Sequence, residues 1–479
     1  MAEVLKKKEI HVFTKLNQDL AYDVNDMHLF EINRLTKEIF EQVDGKTPEQ
    51  VVAALANRFP PKDVSDVLGQ LIKLNLVGHR LPIRGALEQQ GEIPDDGIKR
   101  LVLFVSQDCN LNCRYCYTRY TGNIQKKNMS EAVARAAVDL LFREANKVDD
   151  LAISFYGGEP MLRFDLIKTI IPYANRKAEE LQKNIKYTMT TNGALLTDEA
   201  IEFLALNKVN IMVSLDGRRE IHDENRVYAD GSGSFAKVFP AFTKMKEKAD
   251  GTRTLSVMHS FDIPMKDIAQ SLLDLGSPNF NILPAISGNG QLIIPAGGDV
   301  GDGNCDSIDI YNRQFEEMAA YFLDNGMMFR EKPPIDFAWI FEKLEKKEKR
   351  EINCGAAYMK LTVDADGNIL PCDHFIGETA FYMGNVLTNL DRSCRETFKQ
   401  MRAANSETCR ACWARSLCGG WCPFYSFNRY HDLKKPVNDQ CKLNKNDFEI
   451  AMGVYSILKK RKKTMPQNQN KEAHNVHES

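Results

Sequence analysis

Alternation of apolar and polar positions marks three short strands near the start of the chain, at His11–Thr14, Leu20–Val24 and Leu29–Ile32. Polar turns such as Leu16-Asn17-Gln18-Asp19 and Asn25-Asp26 separate them. The apolar spacing then lengthens to a helical period. Thr47 reads as an N-cap, with Pro48 at N1 and Gln50 at N3, the residues of a capping box. Farther on, Val64, Val67, Leu68, Leu71 and Ile72 share one helical face. Three strands and three helices within residues 8–78 predict a small winged-helix-like unit, placed at 1–80. Residues 81–98 are polar and turn-rich and predict a linker.

From residue 99 a strand–helix rhythm sets in. Apolar runs at Arg100–Ser106, Leu151–Tyr156, Lys186–Thr190, Asn210–Ser214, Thr254–Ser260 and Phe280–Pro284 predict strands. Amphipathic stretches such as Ser130–Asn146, Thr197–Leu206 and Met265–Leu275 lie between them. Alternating β and α elements pack as a parallel sheet with right-handed crossovers. The fold class expected is therefore α/β, a partial (β/α)6 TIM-type barrel over residues 99–300. Chemistry in such barrels collects at the C-terminal ends of the strands. Residues 301–350 read as a bridging region, preceded by a Gly-rich stretch. Within a domain placed at 351–460, the stretch from Cys354 to Cys441 shows little periodicity, many turns and too few apolar positions for a core of its own, so a metal must organise it. The tail at 461–479 reads as disordered.

Charge adds mainly exclusions. With 63 basic and 65 acidic residues the formal net charge is −2, which gives no electrostatic ground for a nucleic acid or an anionic membrane as partner. The charged start lacks the apolar stretch of a secretory signal, and no run is long enough to span a bilayer, so a soluble, cytoplasmic protein is expected.

Cysteine changes the picture. In a reducing compartment, closely spaced cysteines bind metals or catalyse, and this chain has twelve. Cys109-x3-Cys113-x2-Cys116 follows the first barrel strand. Three thiolates on a tight loop can ligate three irons of a [4Fe–4S] cluster and leave the fourth open. A structural zinc ion wants four ligands, and no fourth Cys or His lies nearby in sequence. With this spacing and Tyr115 before the last cysteine, the chain resembles the radical S-adenosylmethionine (SAM) superfamily. Gly157-Gly158-Glu159-Pro160 ends the second strand, where glycines let a ligand approach and carbonyls with Glu159 can receive an ammonium. The resemblance implies that this element holds the SAM amino group. It implies further that Tyr115, Thr191, Asn192 and Ser214 line the SAM site, and that Arg226 of His222-Asp223-x-x-Arg226 meets its carboxylate.

A second constellation comprises Cys354, Cys372, Cys409, Cys412, Cys418, Cys422 and Cys441. A zinc ribbon could use Cys409, Cys412, Cys418 and Cys422, but would leave the other three unexplained. The whole pattern resembles the SPASM domain of peptide- and protein-modifying radical SAM enzymes, which carries two auxiliary clusters. By that resemblance Cys409, Cys412, Cys418 and Cys441 hold one [4Fe–4S] cluster. Cys354, Cys372 and Cys422 then hold the other, nearer the active site, its fourth ligand being Cys305 or an open position. Cys394 reads as an ordinary half-buried thiol. Asp373, following Cys372, stands where sulfatase-maturing relatives have a proposed proton acceptor, and equally suits a plain turn.

Ahead of these regions, the N-terminal unit resembles the precursor-peptide recognition element related to PqqD. Such an element takes a leader peptide as an added strand, here on the edge within Leu20–Ile32 beside the helix Lys62–Lys73. Together the resemblances imply a maturase with three [4Fe–4S] clusters, SAM, a precursor peptide bound by residues of about 8–78, and flavodoxin or ferredoxin as electron donor. The expected product is a thioether between a cysteine sulfur and a carbon of Asp, Glu or Thr, as in ranthipeptides and sactipeptides. Alternatives are a C–C or C–O crosslink, epimerisation, decarboxylation, sulfatase maturation, or a non-enzymatic iron–sulfur or zinc scaffold.

Overall fold

The computed structural model describes residues 4–79, 97–116, 125–249, 251–258, 260–277, 279–285, 305–329, 333–335 and 337–464. Most of the expected linker, the Gly-rich stretch before residue 305, part of the 301–350 bridge and nearly all of the expected tail lie outside the described residues.

The N-terminal unit has strands β1 (Lys6–Lys7), β2 (Ile10–Lys15), β3 (Gln18–Asp23) and β4 (Leu29–Glu31). Helices α1 (Arg34–Gln42), α2 (Pro48–Leu55) and α3 (Pro61–Lys73) follow, then β5 (Val77–Gly78). Thr47 caps α2 in the capping box that its sequence predicts. Strands β2, β3 and β4 form an antiparallel sheet, and β1 pairs with β5. Along β3 the side chains alternate between two cores. Ala21 packs with Ile39, Phe40, Val64 and Leu68 of the helices. Leu20 and Tyr22 point the other way and join the main core of the protein. A strand buried on both faces cannot belong to a loosely tethered appendage.

The main sheet contains β6 (Arg100–Ser106), β7 (Asp150–Gly157), β8 (Asn184–Thr191), β9 (Asn210–Ser214), β10 (Arg253–Met258) and β11 (Phe280–Pro284), parallel and adjacent in chain order. Between them run α4 (Glu131–Glu144), α5 (Phe164–Glu180), α6 (Asp198–Leu206), α7 (Arg219–Asn225), α8 (Phe235–Lys248) and α9 (Met265–Asp274). All but the first residue of β6 are buried, as a nearly continuous apolar run covered on both faces requires. Helices α10 (Cys305–Asp324) and α11 (Ala338–Lys346) lead to the Cys-rich region.

There the structure departs from expectation. Strand β12 (Lys360–Val363) pairs in parallel with β6, from Lys360 opposite Arg100 to Val363 opposite Leu103, and β13 (Ile369–Leu370) pairs antiparallel with β12. Leu361, Val363, Ile369, Phe375, Phe398, Leu417 and Phe424 lie in the same core as the barrel. The region thus packs its apolar residues onto a neighbour instead of relying on metal alone. After short helices at Arg395–Lys399 (α12), Glu407–Arg410 (α13), Arg415–Cys418 (α14) and Pro423–Tyr430 (α15) comes the long helix α16, Asn438–Thr464.

Polar contacts fasten the N-terminal sheet to this region. Arg415 spans Glu9 and Asn25, Ser416 Oγ donates to the Val24 carbonyl at 2.9 Å, and Gln18 donates to the Gly453 carbonyl at 3.1 Å. His11 stacks on Trp413 with ring centroids 3.8 Å apart and meets Glu449 at 2.9 Å. Among the described residues no helix is long and apolar enough to cross a membrane.

Candidate functional site

Parallel strands bring their C-terminal ends to one edge, and there the structure has a cavity of about 490 Å³. Cys109, Cys113, Tyr115 and Cys116 from the loop after β6 line it, with Gly157, Gly158 and Glu159 after β7. Thr191 and Asn192 come from the end of β8, Ser214 from β9, and Arg226 from beyond α7. His374, Phe424 and Tyr425 of the Cys-rich region close one side, and Gln440, Asn444 and Asp447 of α16 another. Every residue expected around SAM therefore faces a single chamber.

The glycines fit the cysteine loop tightly. A Cβ on Gly157, at φ +146°, would lie 2.0 Å from the Ser106 carbonyl oxygen. One on Gly158 would lie 2.3 Å from the Asp108 oxygen and 3.2 Å from Cys109 Cβ. Their amides and that of Glu159 hold the loop: Gly158 N donates to Ser106 O at 2.9 Å and Glu159 N to Asp108 O at 2.8 Å.

Glu159 is fully buried. Its carboxylate accepts from Thr191 Oγ1 at 2.6 Å, Asn192 N at 2.7 Å and Met161 N at 3.0 Å. Burial pushes its pKa up to about 7 while these donors oppose the rise. Glu159 thus clamps the end of β7 to the end of β8, leaving the neighbouring backbone carbonyls better placed than its side chain to receive an ammonium. Asn192 Nδ2 in turn donates to Asn110 at 2.8 Å, within the cysteine loop.

A buried network beneath the chamber was not foreseen as such. Arg226 donates to both carboxylate oxygens of Asp216, at 3.0 and 3.1 Å, and lies 5.3 Å over the Tyr115 ring, whose hydroxyl donates to the same carboxylate. Asp216 also accepts from Val257 N at 3.0 Å. His222 bonds Ser234 at 2.9 Å, and burial pushes it down to about 4, so it is neutral at pH 7. The available signal was an aspartate ending an apolar strand, with an arginine one short helix later.

The thiols fall into three groups. Burial, reinforced by Glu159, Cys113 and Cys116, pushes Cys109 up to about 12. Cys409, Cys412, Cys418 and Cys441 are mutual electrostatic neighbours, burial and this proximity raising Cys441 to about 12 and Cys409 to about 11. Cys354, Cys372 and Cys422 form the third set, Cys422 next to both others. Cys394 caps α12, half-buried, outside these sets. The side chain of Cys305 lies outside the described residues.

Among the described residues no three His, Cys, Asp or Glu side chains stand close enough to hold a single metal ion. Thiolates of a cubane each bind a different iron and stand farther apart than the ligands of one ion. Soft donors in groups of three, four and three suit iron–sulfur clusters.

Lys360 Nζ sits 2.8 Å from Asp373 and 3.7 Å from Cys372 Sγ. Burial alone would raise Asp373, but the charge of Lys360, with that of His374 and the hydrogen bond, outweighs it and leaves the carboxyl at about 2. An ion-paired carboxylate of that pKa is a weak base, so the pair serves first to fix the turn after Cys372.

Comparison with known proteins agrees with this arrangement. Residues 103–272 match the family described as the Radical SAM superfamily, and residues 354–413 match SPASM, an iron–sulfur cluster-binding domain. A serine-type anaerobic sulfatase-maturating enzyme of Bacteroides thetaiotaomicron is 25% identical over 384 residues, covering 74% of this chain and 89% of that one. A radical SAM cyclopropyl synthase of Paramaledivibacter caminithermalis is 26% identical over 370 residues, covering 73% and 72%. The solved structure titled native anSMEcpe with bound AdoMet and Cp18Cys peptide shares the fold at TM-score 0.63 and 20% identity, over 76% of this chain and 99% of that one. These matches support a radical SAM enzyme of the SPASM type, binding SAM and iron–sulfur clusters.

Proposed function

We propose that the chain is a radical SAM maturase that joins a cysteine sulfur to a carbon of Asp, Glu or Thr in a ribosomally made precursor peptide. The observation that carries this is the single chamber, where the Cys109/Cys113/Cys116 loop, the Gly157–Glu159 turn and the Cys372 turn all meet. Cys109, Cys113 and Cys116 would hold the cluster that binds SAM. Gly157, Gly158, Thr191, Asn192, Ser214 and Arg226 would hold SAM itself. Cys409, Cys412, Cys418 and Cys441 would hold one auxiliary cluster, and Cys354, Cys372 and Cys422 the other. When bound, these groups supply an electron and a hydrogen-abstracting radical.

The protein's own residues shape the reaction. Glu159 and the Asp216–Arg226 pair fix the strand ends, and Tyr156, Phe424 and Tyr425 wall the chamber against water. The N-terminal unit would bring in the peptide. On either side of β4, Ile32 N donates to the Asp19 carbonyl and the His28 carbonyl accepts from Asp23 N, so the backbone groups of Leu29 and Glu31 turn away from β3. Beside that edge lies a groove of about 390 Å³, completed by Leu344, Lys347, Tyr455 and Lys459. Its far wall is α11 and α16, not the expected helix at Lys62–Lys73. A leader strand would add there.

A second reading, carbon–carbon bond formation, is favoured by the likeness to a cyclopropyl synthase. Sulfatase maturation is favoured by the other relative, although about a quarter of this chain lies outside that match. The test is anaerobic. The protein, loaded with iron and sulfide, receives SAM, reductant and a cysteine-containing peptide encoded beside its gene. A thioether predicts loss of two hydrogens per crosslink, one 5′-deoxyadenosine formed, and a thiol that no longer alkylates. The same mass loss with every thiol still alkylatable would replace the thioether with a carbon–carbon bond.

A further inference from the structure

One carboxylate lining the chamber has no side-chain hydrogen bond or ion pair among the described residues. Gln440, Leu443, Asn444 and Asp447 lie on one face of α16 and form its wall. Asp447 makes no hydrogen bond or ion pair with any described residue. The other acids of the site are engaged: Glu159 by Thr191 and Asn192, Asp216 by Arg226, and Asp373 by Lys360.

Asp447 also stands at a boundary. With Leu283, Tyr311 and Asn444 it lines both the main chamber and a second one of about 260 Å³. That second chamber is aromatic, walled by Phe315, Phe337, Trp339 and Phe448. Its one cation among the described lining residues, Arg350, donates to the carbonyls of Ile352 and Asn353, lies over Trp339, and forms no ion pair with Asp447. Tyr311 turns its hydroxyl to the Ile282 carbonyl at 3.3 Å.

We infer that Asp447 is the receptor for a cationic side chain of the substrate peptide, a Lys or Arg whose stem lies against the aromatic chamber and whose head meets the carboxylate. The inference rests on the maturase reading and names a feature of its substrate. Asp447 is half-buried, and a partly desolvated carboxylate with no partner among the described residues is costly unless a ligand in the cleft completes it. Burial pushes this one up to about 7, as expected of an acid with no cation beside it. A long cationic side chain suits the geometry because its methylenes and charge can be satisfied separately, on aromatic faces and at an acid.

The test uses the whole iron-loaded protein and the peptide of the preceding section, alongside copies in which each Lys or Arg is replaced in turn by norleucine. One norleucine position is expected to raise KM at least tenfold in the wild type. Asp447→Asn should raise KM for the unaltered peptide by a similar factor and add nothing for that norleucine peptide, the signature of direct coupling. Each activity is normalised to the same preparation's SAM cleavage without peptide. Equal wild-type KM values across the series, or a substrate peptide with no Lys or Arg, would overturn the inference without any variant having to fold. Failure of the maturase reading looks different, with no SAM cleaved or no peptide altered by the wild type.

Discussion

Two carboxylates of the site set opposite expectations. Asp216 and Arg226 are both buried and bonded through two parallel contacts, so removing one charge strands the other. Asp216→Asn should cost about 3 kcal/mol or more in chemical denaturation, the usual result of breaking a buried pair. SAM cleavage should fall with it, because Tyr115 and the cysteine loop lose their anchor; unchanged stability would mean that Arg226 is held some other way. Asp447 behaves in the opposite sense. Its folded pKa is raised from 3.8 to about 7, so its contribution is fully present below about pH 4 and is lost as pH rises through about 7. Tyr311, Arg350 and the thiol of Cys418, which line the second chamber with it, keep their charge across that window, and Glu159 of the main chamber, also raised to about 7, is present in both proteins. Without peptide, Asp447→Asn should therefore match the wild type at about pH 4 or below and melt about 2 °C or more above it at pH 8. A difference independent of pH would show that the carboxyl is not desolvated. Neither residue was conspicuous in the sequence. Asp216 sits in a Leu-Asp-Gly turn like any loop aspartate, and Asp447 in a helix rich in Lys and Asn, where only the fold shows which face is inside.

Among the elements, legibility tracked how local the determining chemistry is. Strands β6, β9 and β11 were readable to the residue because each is a short, largely apolar run with sharp ends. The α2 cap was readable because Thr47, Pro48 and Gln50 carry it unaided. Strand β12 was not, since its four residues among turns gain strand character from pairing with the two-residue β13 and with β6, far away in the chain. Strand β4 was readable, at Leu29–Ile32, but its groove was not, because α11 and α16 complete it from far along the chain. Its role as the leader's docking edge predicts a specific phenotype. Glu31→Pro deletes an amide that β3 does not use, so leader affinity, measured by fluorescence anisotropy, should weaken about tenfold or more with little loss of stability. Glu31→Ala serves as the control, because it also removes the ion pair to Lys460 but keeps the amide. Equal binding by both variants would move the leader off this edge.

At the scale of the molecule, the barrel, the Cys-rich region and the N-terminal sheet share one apolar core, with Tyr22, Phe104, Phe375 and Val454 all in it. This sharing explains why periodicity alone suggested a metal-dependent segment where the structure shows a packed one. The order of motifs along the chain conveyed the chamber well, because a parallel barrel turns sequence order into adjacency. It could not convey what α16 adds from the far end of the described chain. In the proposed function, Cys109, Cys113 and Cys116 hold a cluster that cleaves SAM. The most direct test compares anaerobically reconstituted wild type with the Cys109→Ala/Cys113→Ala/Cys116→Ala variant, measuring iron, sulfide and 5′-deoxyadenosine. About twelve irons are predicted in the wild type and about eight in the variant if each cluster is a cubane, with 5′-deoxyadenosine formed only by the wild type. Equal iron in both proteins, or no SAM cleavage by a fully loaded wild type, would contradict the account.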